Sequence, residues 1–171
     1  MIFIGIDPGL GGAVAVIHEY TKEHPHNGSD IYYEDIKVFD TPVAMIDTKR
    51  KHLASAMALL LKPFADRNDV IAVLEHTHSM PKQGVASSFS FGEGKGLWEG
   101  ILAAYNIPTE LVSPQRWKKE MMADQGRDKD AARLKAMAIY PQMTEQLKRK
   151  KDDGRAESLL MAAYAQRLKR R

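Results

Sequence analysis

Residues 3–18, FIGIDPGLGGAVAVIH, decide the fold. FIGID is a short apolar run that stops at Pro8, which has no amide to donate to a ladder, and the glycines of PGLGG permit a tight reversal into a second run, GAVAVIH. The pattern predicts a hairpin. A third extended segment, IYYEDIKVFD at 31–40, follows the polar stretch TKEHPHNGSD, so the amino-terminal part reads as a three-stranded antiparallel meander.

Beyond the meander the pattern changes to α/β. KRKHLASAMALLLKPF at 49–64 repeats apolar residues at helical spacing and should end or kink near Pro63. VIAVLE at 70–75 is a buried strand, and the later half of FGEGKGLWEGILAAY at 91–105 has helical periodicity. TELV at 109–112 predicts another strand, followed by a helix with Ser113 as cap and Pro114 as first residue. DKDAARLKAMAIYP and GRAESLLMAAYAQRLKRR complete the series as helices, the last amphipathic with a basic tail. Three antiparallel strands followed by alternating helices and strands predict a mixed sheet covered by helices on both faces. With 171 residues, no internal repeat and no long linker, we expect one domain spanning 1–171.

Composition narrows the function classes. The chain has no cysteine, so disulfides and thiolate metal sites are excluded, in keeping with a reducing compartment such as the cytoplasm. No run has transmembrane length, and MIFIGI passes into DPG without a signal-peptide pattern. A net charge of +3 conceals an asymmetry: residues 1–115 carry 9 basic against 14 acidic side chains, whereas 116–171 carry 16 against 8. The basic last third suits a polyanion such as nucleic acid.

Carboxylates occupy unusual places. Asp7 and Glu75 each end an apolar core strand at its carboxyl end, where an unpartnered charge is costly to desolvate. If the two strands are parallel neighbours, both acids meet at one sheet edge, the usual site location in open α/β sheets. In KKDDGRAE at 150–157, Asp153 and Glu157 share a helix face by i, i+4 spacing, while Asp152 or Asp153 is also placed to cap that helix. Four carboxylates at one edge require cations. All-oxygen ligands favour Mg²⁺, with Mn²⁺ as substitute, and two such ions about 4 Å apart can activate water for phosphodiester cleavage. His76 and His78 beside Glu75 suggest a zinc pair, but no third imidazole or thiolate is apparent.

Taken in order, GIDPG at 5–9, VLE at 73–75 and DDGRAESLLMAAY at 152–164 resemble the RuvC-like Holliday junction resolvases of bacteria and their phages, within the RNase H-like fold. MPKQGVASSFSFGEGKGLWEGILAAYNIP, SPQRWKK and DKDAARLKA are similar to the phage-type branch, so the resemblance spans nearly the whole chain. It implies a mixed five-stranded sheet and a homodimeric crossover junction endodeoxyribonuclease. Such an enzyme makes paired nicks in a four-way junction with two divalent metals per site, in a bacterial or phage-infected cytoplasm. Asp7 and Glu75 match the first two ligands. Many members separate the last two acidic ligands by three positions, but three before Glu157 stands Gly154. Asp153 and Glu157 are therefore assigned, with Asp152 as substitute ligand or cap. The resemblance also implies DNA contact at Lys118 and Lys129, extended by Lys119, Arg133 and Lys82, and places His78 where relatives carry an aromatic wedge, with Met80, Phe89 and Phe91 as alternatives for that role. Trp98 and Trp117 read as core or helix-face anchors, Trp98 on the helix that relatives use near their dimer interface.

Three rivals remain. DPGLGG also resembles the phosphate hairpin of actin-like ATPases, but those need two lobes and 171 residues leave no room for them. A non-catalytic junction-binding module would keep the basic half and need no carboxylates. A broader branched-DNA or RNA/DNA-hybrid nuclease of the same fold would share every feature named so far.

Overall fold

The computed structural model describes residues 1–23, 29–76, 84–124 and 130–170. Its strands are β1 Ile2–Ile6, β2 Ala13–Glu23, β3 Asp30–Asp40, β4 Val43–Ile46, β5 Lys49–His52, β6 Val70–Glu75 and β7 Thr109–Val112. Five of them form one sheet in the order β3-β2-β1-β6-β7. β1 and β3 pair with β2 antiparallel, while β6 pairs parallel with both β1 and β7, so the meander and the mixed sheet are as predicted.

The helices are α1 Ala54–Leu61, α2 Val85–Ala104, α3 Pro114–Met121, α4 Ala131–Ile139, α5 Thr144–Leu147 and α6 Asp153–Lys169. They lie on both sides of the sheet because side chains alternate along each strand. Ile2, Ile4, Ile6, Val14 and Val16 face α1 and α2, packing on Met57, Leu61, Trp98 and Leu102. Phe3, Ala15, Ile17 and Val73 face α6 together with Trp117, Leu160 and Tyr164. Trp98 and Trp117 are fully buried, so both are core anchors. Each such side chain contributes roughly 2–3 kcal/mol by leaving water.

Helix α6 lies across the strand that carries Asp7. Gly5 makes this approach feasible: a Cβ there would collide with the Ser158 carbonyl and the Ala162 amide. The apolar run of α6 is accordingly buried nearly all round, from Leu159 to Ala165.

The structure corrects the reading of 49–64. Lys49–His52 is not the start of a helix but the second strand of a small hairpin, β4–β5, and only Ala54–Leu61 is α-helical before a 3₁₀ turn at Lys62–Phe64. The hairpin reverses at Asp47 and Thr48, both with positive φ, at 46° and 66°. A two-residue turn of the I′ type requires those signs, but neither residue advertises it as Asn-Gly would. Helix α2 also starts earlier than its periodicity suggests, at Val85.

Candidate active site

Register builds the first half of the site. Ile6 pairs with Leu74 in the parallel β1–β6 ladder, so the next residues along, Asp7 and Glu75, stand side by side where the two strands leave the sheet. Asp7 sits in a closed turn: its amide bonds to the Ala13 carbonyl at 3.0 Å, and its Oδ1 accepts from the Gly9 amide at 3.1 Å. The first turn of α6 comes in from the other side. At Gly154 a Cβ would strike the Gly11 carbonyl and lie 3.1 Å from Asp7 Oδ2, so glycine lets the helix start against this carboxylate.

Glu157, one turn further along α6, completes a group of three. Asp7 and Glu75 are both repelled by Glu157, and Glu75 by Asp7. Desolvation by burial, aided by the Glu157 charge and opposed by the Gly9 amide bond, raises Asp7 to about 6. Burial also pushes Glu75 up to about 7, opposed by its hydrogen bond from the Trp117 indole and aided by Asp7 and Glu157. Carboxyls this perturbed and this close are typical of sites that handle charge.

Helix α3 supplies the counter-elements. Ser113 and Pro114 start it directly after β7, as predicted, with Ser113 Oγ accepting from the Arg116 amide. That start turns Trp117 inward, where Nε1 donates to Glu75 Oε2 at 3.0 Å. Lys118, next along, lies over the Trp117 ring at 5.0 Å and reaches Glu157 Oε1 at 2.6 Å. Its ammonium lowers both Asp7 and Glu75.

Other predicted residues have partners of their own. Asp153 is half-exposed and pairs with Arg133 Nε at 3.2 Å. Asp152 is buried and accepts from the Arg149 amide and guanidinium, at 2.9 Å in each case, so it ties down the segment before α6. Neither aspartate caps α6 through its side chain. Arg133 is buried, paired with Asp130 at 2.6 Å and donating to the carbonyls of Leu147 and Lys148, so it fastens α4 to the segment that follows α5. Lys119 is exposed. Lys82, Lys129 and His78 lie outside the described residues.

Among the described residues, no three His, Asp or Glu side chains form a ready-made metal shell. The donors nevertheless suit a hard divalent ion. Asp7, Glu75 and Glu157 offer only oxygens, and burial together with the Glu157 charge disfavours the ionised forms of Asp7 and Glu75, a cost that a bound cation would offset.

Two features escaped sequence reading. One is the Trp117–Glu75 bond, since an indole after a helix cap looks like any core anchor. The other is a bidentate pair between Arg155 and Asp40, both contacts at 2.6 Å, which pins the first turn of α6 to the end of β3. No local signal joins residues 115 positions apart.

This architecture is found in solved structures. The chain superimposes on a Thermus thermophilus RuvC structure with a TM-score of 0.53 at 18% identity, covering 98% of this chain and 96% of that one. The fold is that of RuvC. T. thermophilus RuvC in complex with a Holliday junction substrate aligns over the same shares with a TM-score of 0.57 at 15% identity. A curated relative in sequence, the chloroplastic Holliday junction resolvase MOC1 of Chlamydomonas reinhardtii, is 29% identical over 118 residues, which are 68% of this chain. That match spans only 13% of the relative's own length. No family model matches. The RuvC fold accounts for the sheet order, the parallel β1–β6 pair and the place of α6 over them.

Proposed function

We propose that this RuvC-like chain is a structure-selective DNA endonuclease that resolves four-way junctions by paired hydrolytic nicks, acting as a homodimer in the cytoplasm. The observation that carries the reading is the meeting of Asp7, Glu75 and Glu157 at the carboxyl edge of the sheet, with two of the three displaced upward. Similar proteins point the same way: one is a Holliday junction resolvase, and another was solved in complex with a Holliday junction substrate.

In this reading Asp7, Glu75 and Glu157 hold Mg²⁺, two ions per site, with Mn²⁺ as substitute and Asp153 as fourth donor from the preceding turn of α6. Bound there, the ions would supply an activated water and neutralise charge at the scissile phosphate. The chain's own groups do the rest. Trp117 fixes Glu75 through Oε2, leaving Oε1 free to ligate. Lys118, able to exchange its Glu157 bond for a phosphate oxygen, steadies the polyanion. Lys119 extends the positive surface, and Lys82, Lys129 and His78 keep the DNA-facing roles that the family resemblance implies.

Purified protein should be incubated with immobile four-way junction, flap, linear duplex and RNA/DNA hybrid, with and without Mg²⁺, and the nicks mapped. Symmetric nicks in the junction alone, dependent on Mg²⁺, support the proposal. Equal cutting of flap or hybrid would make the chain a broader nuclease, and junction binding without any cutting would make it a binding module.

A further inference from the structure

The hairpin absent from the sequence reading carries three consecutive basic side chains, Lys49, Arg50 and Lys51, all exposed. They belong to the acidic two-thirds of the chain, remote in sequence from the basic last third. Together with Phe89, Ser90 and Glu93 of α2 they line a groove of about 700 Å³. A second cavity of about 420 Å³, sharing Ser90, continues from it to Gly9 and Leu10, the turn that follows Asp7. Arg50 bonds the two together, donating from Nη2 to the Leu10 carbonyl at 2.7 Å. The groove thus leads from the hairpin to the catalytic turn.

Its chemistry is that of a phosphate track. No ion pair engages Lys49 or Lys51 among the described residues, whereas most other basic side chains near the site are paired: Lys118, Arg133, Arg149 and Arg155 all have acidic partners within 4.0 Å. The acid in the groove, Glu93, leans towards buried His52 at 3.8 Å. Phe89 and Val85, exposed at 73% and 86%, offer apolar contact of the kind a deoxyribose edge accepts. Two uncompensated cations and exposed apolar side chains complement the backbone of a nucleic-acid duplex.

We propose that the β4–β5 hairpin and the start of α2 grip the phosphodiester backbone of one duplex arm, leading it to the site at Asp7, with Lys49 and Lys51 as the phosphate contacts. This surface rests on the reading of the chain as a DNA junction nuclease. The contact reads no base, so it adds affinity equally for all sequences.

Binding of a labelled immobile junction, without Mg²⁺, should be measured by anisotropy from 50 to 200 mM salt for wild type, Lys49→Ala/Lys51→Ala and Lys49→Arg/Lys51→Arg. Removing two phosphate contacts should reduce the slope of log affinity against log salt by about two units, and the arginine pair should restore it. An unchanged slope in the alanine pair would overturn the hairpin's role while leaving the nuclease reading intact. So would an equal loss in both variants, which marks a structural defect, or sedimentation showing that the alanine pair dissociates a dimer, which marks an interface between copies. Failure of the wild type to bind any junction would instead remove the nuclease reading and this surface with it.

Discussion

Asp7 and Glu75 have opposite requirements for folding and for the proposed chemistry. Both bind protons more readily folded than unfolded, Asp7 at about 6 against 3.8 and Glu75 at about 7 against 4.5. The folded chain therefore holds extra protons between pH of about 4 and 7, and stability falls as pH rises through that window. Asp7→Asn removes its share of this loss. The variant should be more stable than wild type at pH 8, by on the order of 2 kcal/mol, and about equally stable at pH 4. Thermal unfolding at both values checks the sign. The same variant, and Glu75→Gln, should lose nicking by at least about a thousandfold while still binding junctions, as expected when a charge that repels phosphate is removed. Retained nicking in either would take that residue out of the site. Trp117 invites a subtler test. Trp117→Phe keeps the ring packing and deletes only the donor to Glu75, so Mn²⁺ affinity measured by calorimetry should weaken by about tenfold or more, in line with other outer-shell partners.

At the scale of elements, the position of α6 decides where the third acid lies. The acids on β1 and β6 are held by sheet register, but Glu157 depends on where a helix begins. Three ties fix that point: close packing at Gly154, the Arg149–Asp152 bond, and the Arg155–Asp40 pair. The last is testable without touching the carboxylates. Arg155→Ala and Asp40→Ala should each reduce nicking several-fold with junction affinity little changed. Because Arg155 also donates to the Gln146 carbonyl and lies 4.0 Å from Asp152, the double variant should be no worse than Arg155→Ala alone. Additive losses would show that the pair does not act as a unit. Its contribution to stability should stay near 1 kcal/mol or below, since Asp40 is largely exposed and solvent screens the pair.

For the whole molecule, paired nicks require two active sites held at a fixed separation. Wild-type chains co-expressed with Asp7→Asn chains should form mixed dimers that cut one strand of a cruciform plasmid, giving nicked circles where wild type gives linear product. Linear product from an isolated mixed species would show that one site makes both cuts. Exposed positive charge lies both on α3, at Lys119, and on the β4–β5 hairpin, at Lys49, Arg50 and Lys51. Among the described residues, no helix is long and apolar enough to cross a membrane.

Much of this was legible in the chain alone. Alternation and turn residues in FIGIDPGLGGAVAVIH specify a hairpin locally, and buried strands such as VIAVLE are short apolar runs that need no distant information. Placing Asp7 and Glu75 at strand ends was also a local reading; only their adjacency waited for the parallel register of Ile6 with Leu74. What the sequence could not determine depended on choices between partners. Asp153 and Glu157 share a helix face, yet Arg133 claims one and Lys118 the other. Arg133 counted as surface charge until burial assigned it to carbonyls and aspartates. Lys49–His52 had helical neighbours, and the hairpin prevailed because Asp47 and Thr48 adopt positive φ and the strand can dock on Leu10. Periodicity follows from the chain's own geometry and so can be read along it. Which of several nearby opposite charges a side chain meets is settled by packing between segments far apart in sequence, and only the tertiary structure decides that.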